Sequence, residues 1–272
     1  MNLKAKTFEL RKDVLTLIHR ARTGHIGGDF SVIDILTVLY YKQMNISPEK
    51  MDHPDRDRFV LSKGHSVEAL YAILSDLGFF PKSELDNYSQ YGSKYIGHPN
   101  NKINGIEMNS GSLGHGLPVS IGMALAGKLD QKDYRVYTVM GDGELAEGSV
   151  WEGAMAAGHY RLDNLCAVVD RNRLQISGGT ETVMAHDPLE LRFASFGWNV
   201  LSIPGNDVDA LNDAFDLARR AKGKPTVIIA NTTKGCGVSF MENQAGWHHR
   251  VPTDEEYQKG MEELEQRRLA AL

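Results

Sequence analysis

Only two cysteines occur in the 272 residues, Cys166 and Cys236, and neither belongs to a Cys-x-x-Cys pair. A cysteine zinc site or a dithiol redox centre is therefore not expected, and both read as small buried residues. Long apolar runs are missing as well. The longest stretches, such as 165–169 and 227–230, fall far short of the roughly 20 residues that a bilayer crossing needs. Residues 1–11 mix Lys, Glu and Arg with no apolar run behind them, so no secretory signal is visible and the cytoplasm is the expected location. Nor is there an excess of basic residues. A formal charge of -5 and a pI near 6.1 give no basic face for nucleic acid and point instead to small solutes. Internal repeats and low-complexity linkers are absent too. At roughly 150 residues per domain the length allows one large or two small domains, and an α/β domain of this size can bury a full core.

What is present is an alternation. Apolar positions at Phe8, Leu10, Val14, Leu15, Leu17 and Ile18 follow a helical period that Thr23-Gly24 closes. Further helical patterns cover 32–41, 67–77, 117–129, 150–160 and 208–221. Between them lie short Val/Ile-rich runs at 58–61, 136–140, 165–169, 198–203 and 226–230, nearly unbroken, as strands covered on both faces should be. Strands alternating with helices predict an α/β fold with a doubly wound, mostly parallel sheet. Residues 253–272 open on a Thr-Asp-Glu-Glu capping pattern and read as a charged C-terminal helix: a solvated tail, a docking element or the stump of a linker.

The strand at 136–140 delivers Gly141-Asp142-Gly143 to the sheet edge where open α/β folds bind ligands. Two glycines let backbone approach a phosphate, and the following helix N-terminus offers N–H groups to an anion. Asp142 between them would repel a bare diphosphate, so its placement makes chemical sense mainly with a hard divalent cation in between. The next strand ends in Asp170-Arg171-Asn172. If the two strands are parallel neighbours, their ends lie roughly 4.8 Å apart, and Asp142 and Asn172 can ligate one Mg²⁺ with the carbonyl of Leu174 as a third oxygen. The bland alternative makes Gly-Asp-Gly a tight turn and Asn172 a loop residue.

Two other patterns compete for the same glycines. Residues 141–146 fit the G-x-G-x-x-A dinucleotide fingerprint, with Asp170 as the ribose-binding acid, yet a nicotinamide site has no use for Asp142 beside its pyrophosphate. Residues 122–128 spell most of a P-loop, but Leu129 replaces its Ser/Thr and the segment reads as helix. Several histidines stand in Gly-flanked turns: His25, His65, His98 and His115, with His248 following Gly246-Trp247. Imidazole suits hydrogen bonding to hydroxyls or phosphate and proton transfer near neutral pH. Each alone reads as an ordinary loop histidine; together they are expected to converge at one edge of the sheet.

Taken in order, Gly24-His25, Asp57 through His65, Gly97-His98-Pro99, Gly111-Ser112-Leu113-Gly114, Gly141-Asp142-Gly143, Asp170-Arg171-Asn172, and Lys234-Gly235 followed by Gly246-Trp247-His248 resemble the transketolase family over nearly the whole chain. The resemblance implies one diphosphate-binding domain over residues 1–272, binding thiamine diphosphate through Mg²⁺, or Ca²⁺ or Mn²⁺ in its place, on Asp142, Asn172 and Leu174. It further implies His65 and His248 at the diphosphate, Gly143 as a backbone donor, and Gly111, Ser112 and Leu113 at the aminopyrimidine. His25, His98 and His248 would line the donor-sugar channel, and Glu147 would be the acid that couples two active sites at a subunit interface.

Departures from the family pattern bear on substrate choice: Ile26 stands where Pro is usual, and His115 where Gln is common. Full-length members continue into a pyrimidine-binding and a C-terminal domain. The resemblance thus implies the N-terminal subunit of a split transketolase, inactive alone. A second polypeptide would complete it, in an α₂β₂ assembly acting on sugar phosphates. A non-catalytic binding or regulatory relative is the competing reading, and a nicotinamide oxidoreductase the weakest.

Overall fold

The structure is a computed structural model that describes all 272 residues. In chain order its main elements are α1 (Leu3–Ala21), α2 (Ile26–Val38), β1 (Arg58–Leu61), α3 (Val67–Asp76), α4 (Gly116–Leu129), β2 (Val136–Gly141), α5 (Gly148–His159), β3 (Leu165–Arg171), the two short strands β4 (Leu174–Gln175) and β5 (Gly178–Gly179), α6 (Thr180–Val183), α7 (Leu189–Ser195), β6 (Asn199–Pro204), α8 (Val208–Arg220), β7 (Thr226–Asn231) and α9 (Asp254–Ala270). The principal sheet has strand order β1-β2-β3-β7-β6 and every pairing in it is parallel.

Strand alternation divides the core in two. In β3, Cys166 and Val168 join one cluster while Leu165, Ala167 and Val169 join the other, and β2 and β7 alternate in the same way. One face is covered by α1, α2, α3, α8 and α9, the other by α4, α5 and α7. A strand buried on both faces has no polar side to display, which is why these runs read as continuous apolar stretches. Only edge strand β6 is partly exposed along its length.

Three details differ from the sequence expectations. Helix α2 starts at Ile26, six residues before the predicted 32, and Leu39–Gln43 continues it as a π-helical turn. Gly27 and Gly28 look like turn residues but are helical, chosen for closeness: a Cβ on Gly27 would stand 2.6 Å from the Trp247 carbonyl, and one on Gly28 2.8 Å from Ser66 Oγ. Seven-residue α7 and the β4–β5 hairpin are too short for a periodic signal. Helix α9 has the full capping box between Thr253 and Glu256 and packs on α1, where Gly260 admits Leu15 and Leu264 is buried. Cys166 is buried, Cys236 half-buried, and both are free thiols. No helix is long and apolar enough to cross a membrane.

Candidate functional site

Parallel strands all point one way, so β1, β2, β3 and β7 empty their following loops onto one edge. Gly141 is in register with Asp170, and Asp170 with Ala230. Asp142 and Asn172 therefore leave adjacent strand ends, as the sequence requires of a shared cation site. They line a cavity of about 240 Å³ together with Lys63, His65, Gly111, Leu113, Gly143, Leu174, Lys234 and His248. A larger cleft, about 540 Å³, lies between the N-terminus and α8 and has none of these groups.

The oxygen set is held by backbone donors. Asp142 Oδ1 accepts from the Gly143 N–H at 3.0 Å and Oδ2 from the Arg173 N–H at 2.6 Å. Asn172 Oδ1 accepts from the Leu174 N–H at 3.1 Å, and its Nδ2 donates to Ser31 Oγ at 3.2 Å. The Leu174 carbonyl accepts from Lys234 Nζ at 3.2 Å. No cationic side chain touches Asp142, so burial, and then the charge of Asp170, push its carboxyl up to about 6. A cation is what this acid lacks. No three His, Cys, Asp or Glu side chains cluster as metal ligands anywhere, so a metal here would rest on the mixed oxygen set of Asp142, Asn172 and Leu174. That set suits a hard cation which keeps places for phosphate and water.

Beneath it runs a buried network that sequence reasoning missed. Lys63 Nζ contacts Asp170 Oδ2 at 2.5 Å and the Gly28 carbonyl at 3.2 Å, and Ser31 Oγ donates to the same Asp170 oxygen at 2.6 Å. Thr232 Oγ1 donates to the other. Asp170 thus anchors loops instead of binding a ribose. Buried Glu144 ties three more segments together, accepting from the Gly114 N–H at 2.8 Å, the Gly141 N–H at 3.0 Å and Ser62 Oγ.

Four of the five histidines converge, His25, His65, His98 and His248, while His115 stays exposed at the N-cap of α4 outside the cluster. His25 lies 5.4 Å from His65, 6.1 Å from His98 and 5.6 Å from His248, ring centre to ring centre, and His65 is 5.2 Å from His248. Exposed His249 joins them at 4.5 Å from His25, a residue unremarked in the sequence because nothing but its neighbour His248 singles it out. Burial, then His249 and His98, lower His25 to about 4; burial, then Lys234, lower His248 to about 3. His65 is held well below its ordinary value by burial and Lys63, and His98 is lowered by burial. Lys234, 2.8 Å from His248 Nδ1, is itself lowered to about 8 by burial and Lys63. His25, His65, His98, His248 and Lys234 are thus pushed toward neutrality by burial and, except for His98, by neighbouring positive groups. Such a cavity resists further positive charge and favours an anion.

The buried acid at two parallel strand ends, and the ring of depressed bases around it, fall within a stretch of sequence that matches a known family. Residues 5–264 match the family described as "Transketolase, thiamine diphosphate binding domain". The chain belongs to the transketolase family. It is 46% identical over 270 residues to an apulose-4-phosphate transketolase subunit of Phocaeicola vulgatus, covering 97% of this chain and 96% of that one. To 6-deoxy-6-sulfo-D-fructose transketolase subunit SqwG of Clostridium sp. it is 41% identical over 266 residues, with 97% of each covered. The crystal structure of transketolase from Campylobacter jejuni superposes with a TM-score of 0.90 at 29% identity, over 100% of this chain and 46% of that one. The chain spans under half the length of that solved transketolase but nearly the full length of the two subunits. It is an N-terminal, thiamine-diphosphate-binding subunit of a split transketolase, hence part of a transferase.

Not every residue expected at the transketolase site lines the cavity. Gly111, Leu113, Gly143, His65 and His248 do; His25 and His98 flank it through the imidazole cluster. Gly111, at φ +149, leaves room for His98, whose Cδ2 would be 2.9 Å from an added Cβ. Ser112 and Glu147 are exposed and lie outside the cavity wall, Glu147 as the N-cap of α5 against Gly114. His115 is exposed at the N-cap of α4.

Proposed function

We propose that the cavity holds the diphosphate of thiamine diphosphate through one Mg²⁺, which Ca²⁺ or Mn²⁺ can replace, on Asp142, Asn172 and the Leu174 carbonyl. The carrying observation is the pairing of a buried acid with no cation in contact, Asp142, with bases that burial, and then their positive neighbours, leave short of protons. A metal–diphosphate ligand answers both needs at once. His65, His248 and the Gly143 N–H face the diphosphate, and Gly111, Ser112 and Leu113 carry the aminopyrimidine end. Bound thiamine diphosphate supplies a nucleophilic carbon and an electron sink for breaking the bond beside a ketose carbonyl.

The chain's own contribution to turnover lies in its imidazoles. His25, His98 and His248 flank the donor sugar, and as neutral rings each both accepts and donates a proton to a sugar hydroxyl. Glu147, exposed at the start of α5, meets a second copy of the assembly. A partner subunit with the pyrimidine-binding and C-terminal domains completes the site in an α₂β₂ assembly in the cytoplasm. The reaction is transfer of a two-carbon ketol unit from a ketose phosphate to an aldose phosphate. Two relatives named for a phosphorylated and a sulfonated ketose support a donor with an anionic tail.

The test is co-expression with that partner and measurement of thiamine-diphosphate-dependent ketol transfer from several ketose phosphates. Turnover by the complex and none by either chain alone is expected. A verified stoichiometric complex that turns over none of them would sink the proposal.

A further inference from the structure

Next to the imidazole cluster lie two acids that the proposed chemistry does not use. Asp29, in the first turn of α2, and Glu68, in the first turn of α3, are both fully buried. Asp29 Oδ1 accepts from the Ala69 N–H at 2.9 Å, and Glu68 Oε1 accepts from the Tyr88 hydroxyl at 2.6 Å. The remaining oxygens, Asp29 Oδ2 and Glu68 Oε2, are buried without any donor. The two side chains stand within hydrogen-bond reach of each other.

Two carboxylates so placed cannot both stay ionised, and no cation makes contact with either. The titratable groups facing them are Lys63, Tyr88, Tyr71 and His25, and the Lys63 ammonium is already engaged by Asp170 and Gly28. Burial raises both acids above the ordinary carboxyl range, and for Asp29 the charge of Glu68 raises it further. One proton between the two orphaned oxygens would satisfy both, leaving a single negative charge near two helix N-termini, where it is favoured.

That charge supports the turn carrying His25. Gly24, at φ +150, passes so close that an added Cβ would stand 2.7 Å from Glu68 Oε1, and the His25 amide lies against the same carboxyl. His25 is the N-cap of α2 yet makes no side-chain capping bond, and its Nδ1 is buried without a partner. With no hydrogen bond at Nδ1, the imidazole is oriented by its backbone turn and by the rings packed around it.

We propose that Asp29 and Glu68 share one proton and act as a positioning pair, fixing the Gly24–His25 turn and with it the His25 imidazole beside the cavity. The part of this that concerns donor binding rests on the function proposed above; the shared proton does not.

Infrared difference spectra and ¹⁵N-histidine NMR of the chain by itself test the pair without any turnover. A protonated-carboxyl C=O band should be present near neutral pH and vanish in Glu68→Gln, whose amide donates to Asp29 in the proton's place. The His25 ring resonances, assigned with His25→Gln, should move in Glu68→Ala and stay in Glu68→Gln. In the complex with its partner, Glu68→Ala should raise the donor KM about tenfold, the cost of one orphaned buried group, with cofactor affinity unchanged. Glu68→Gln should restore it. No protonated band in the native chain, or equal shifts of His25 in both variants, overturns the pair. An inactive native complex alongside the expected spectra would instead count against the proposed reaction alone.

Discussion

Lys63 and Asp170 meet as an ion pair, Nζ to Oδ2 at 2.5 Å, with both side chains buried at the base of the cavity. Their partners, Ser31, Gly28 and Thr232, come from α2 and from the loop after β7. One pair thus joins the loops after β1 and β7 and the end of β3 to the start of α2. Losing Lys63 strands the Asp170 charge in the interior, which costs about 3–5 kcal/mol for such pairs. Lys63→Met should lower the urea midpoint accordingly. Lys63→Met with Asp170→Leu should recover much of the loss, because an apolar replacement carries no stranded charge. Equal destabilisation in both variants would show that the pair itself is not what holds the loops.

Asp142 predicts how the metal-free chain responds to pH. Its folded carboxyl is raised to about 6 from an ordinary value of 3.8, so the folded state binds more protons through that window. This group's contribution is present below 3.8 and is lost as pH rises through 6. Without metal, Asp142→Asn should therefore be more stable than the native chain at neutral pH and no more stable near pH 4. Mg²⁺ with thiamine diphosphate should raise the melting temperature of the native chain, more at about pH 7.5 than at about pH 5. An unchanged shift in Asp142→Ala would refute the metal assignment.

The histidines give the opposite slope. His25 and His248 fall from 6.5 to about 4 and about 3, so the folded state binds fewer protons than the unfolded chain between these values. Stability from this source is present above 6.5 and lost as pH falls toward 3 to 4. His248→Gln should flatten the acid limb of a melting-temperature profile. Inorganic diphosphate with Mg²⁺ should shift the histidine NMR titrations upward. Titrations that ignore diphosphate would mean that the cluster does not face the anion.

Gly27→Ala is a test of close approach. The new methyl would meet the Trp247 backbone carbonyl at 2.6 Å, with no flexible end to yield. Overpacking of this kind costs about 1–3 kcal/mol. It should also weaken diphosphate binding, since His248 follows Trp247 directly. Gly122→Ala in α4, where nothing lies within 4 Å, should instead leave binding alone and gain up to about 1 kcal/mol from helix propensity. Calorimetric unfolding with diphosphate titration measures both effects.

How much of this the sequence discloses depends on whether a feature is local. Strands at 136–140 and 165–169 are legible because burial on both faces writes itself as an unbroken apolar run. Asp142 and Asn172 are legible because glycines and strand ends punctuate them. The insertion of β7 between β3 and β6 leaves no trace in periodicity, since any of these strands could occupy the centre. The supports of the site, Lys63 with Asp170, Glu144 with Ser62, Asp29 with Glu68, join positions far apart in the chain. Each member alone looks like an ordinary polar residue. Gly27 and Gly28 mislead for a physical reason: glycine serves close packing as readily as it serves turns.

The alternation of β3 makes its length a ruler. Counting from Leu165, odd and even steps fall on opposite faces, and the sixth residue, Asp170, lands on the side of Ser31 and Lys63. One residue gained or lost inside the strand would send that carboxylate toward α5 and carry Asn172 off the end it shares with Asp142. Natural length variation should therefore avoid the span from Leu165 to Asn172 and collect in the irregular stretches between α3 and α4 and around α6. Sequences that do vary in length within β3 would be expected to have given up the metal site proposed here.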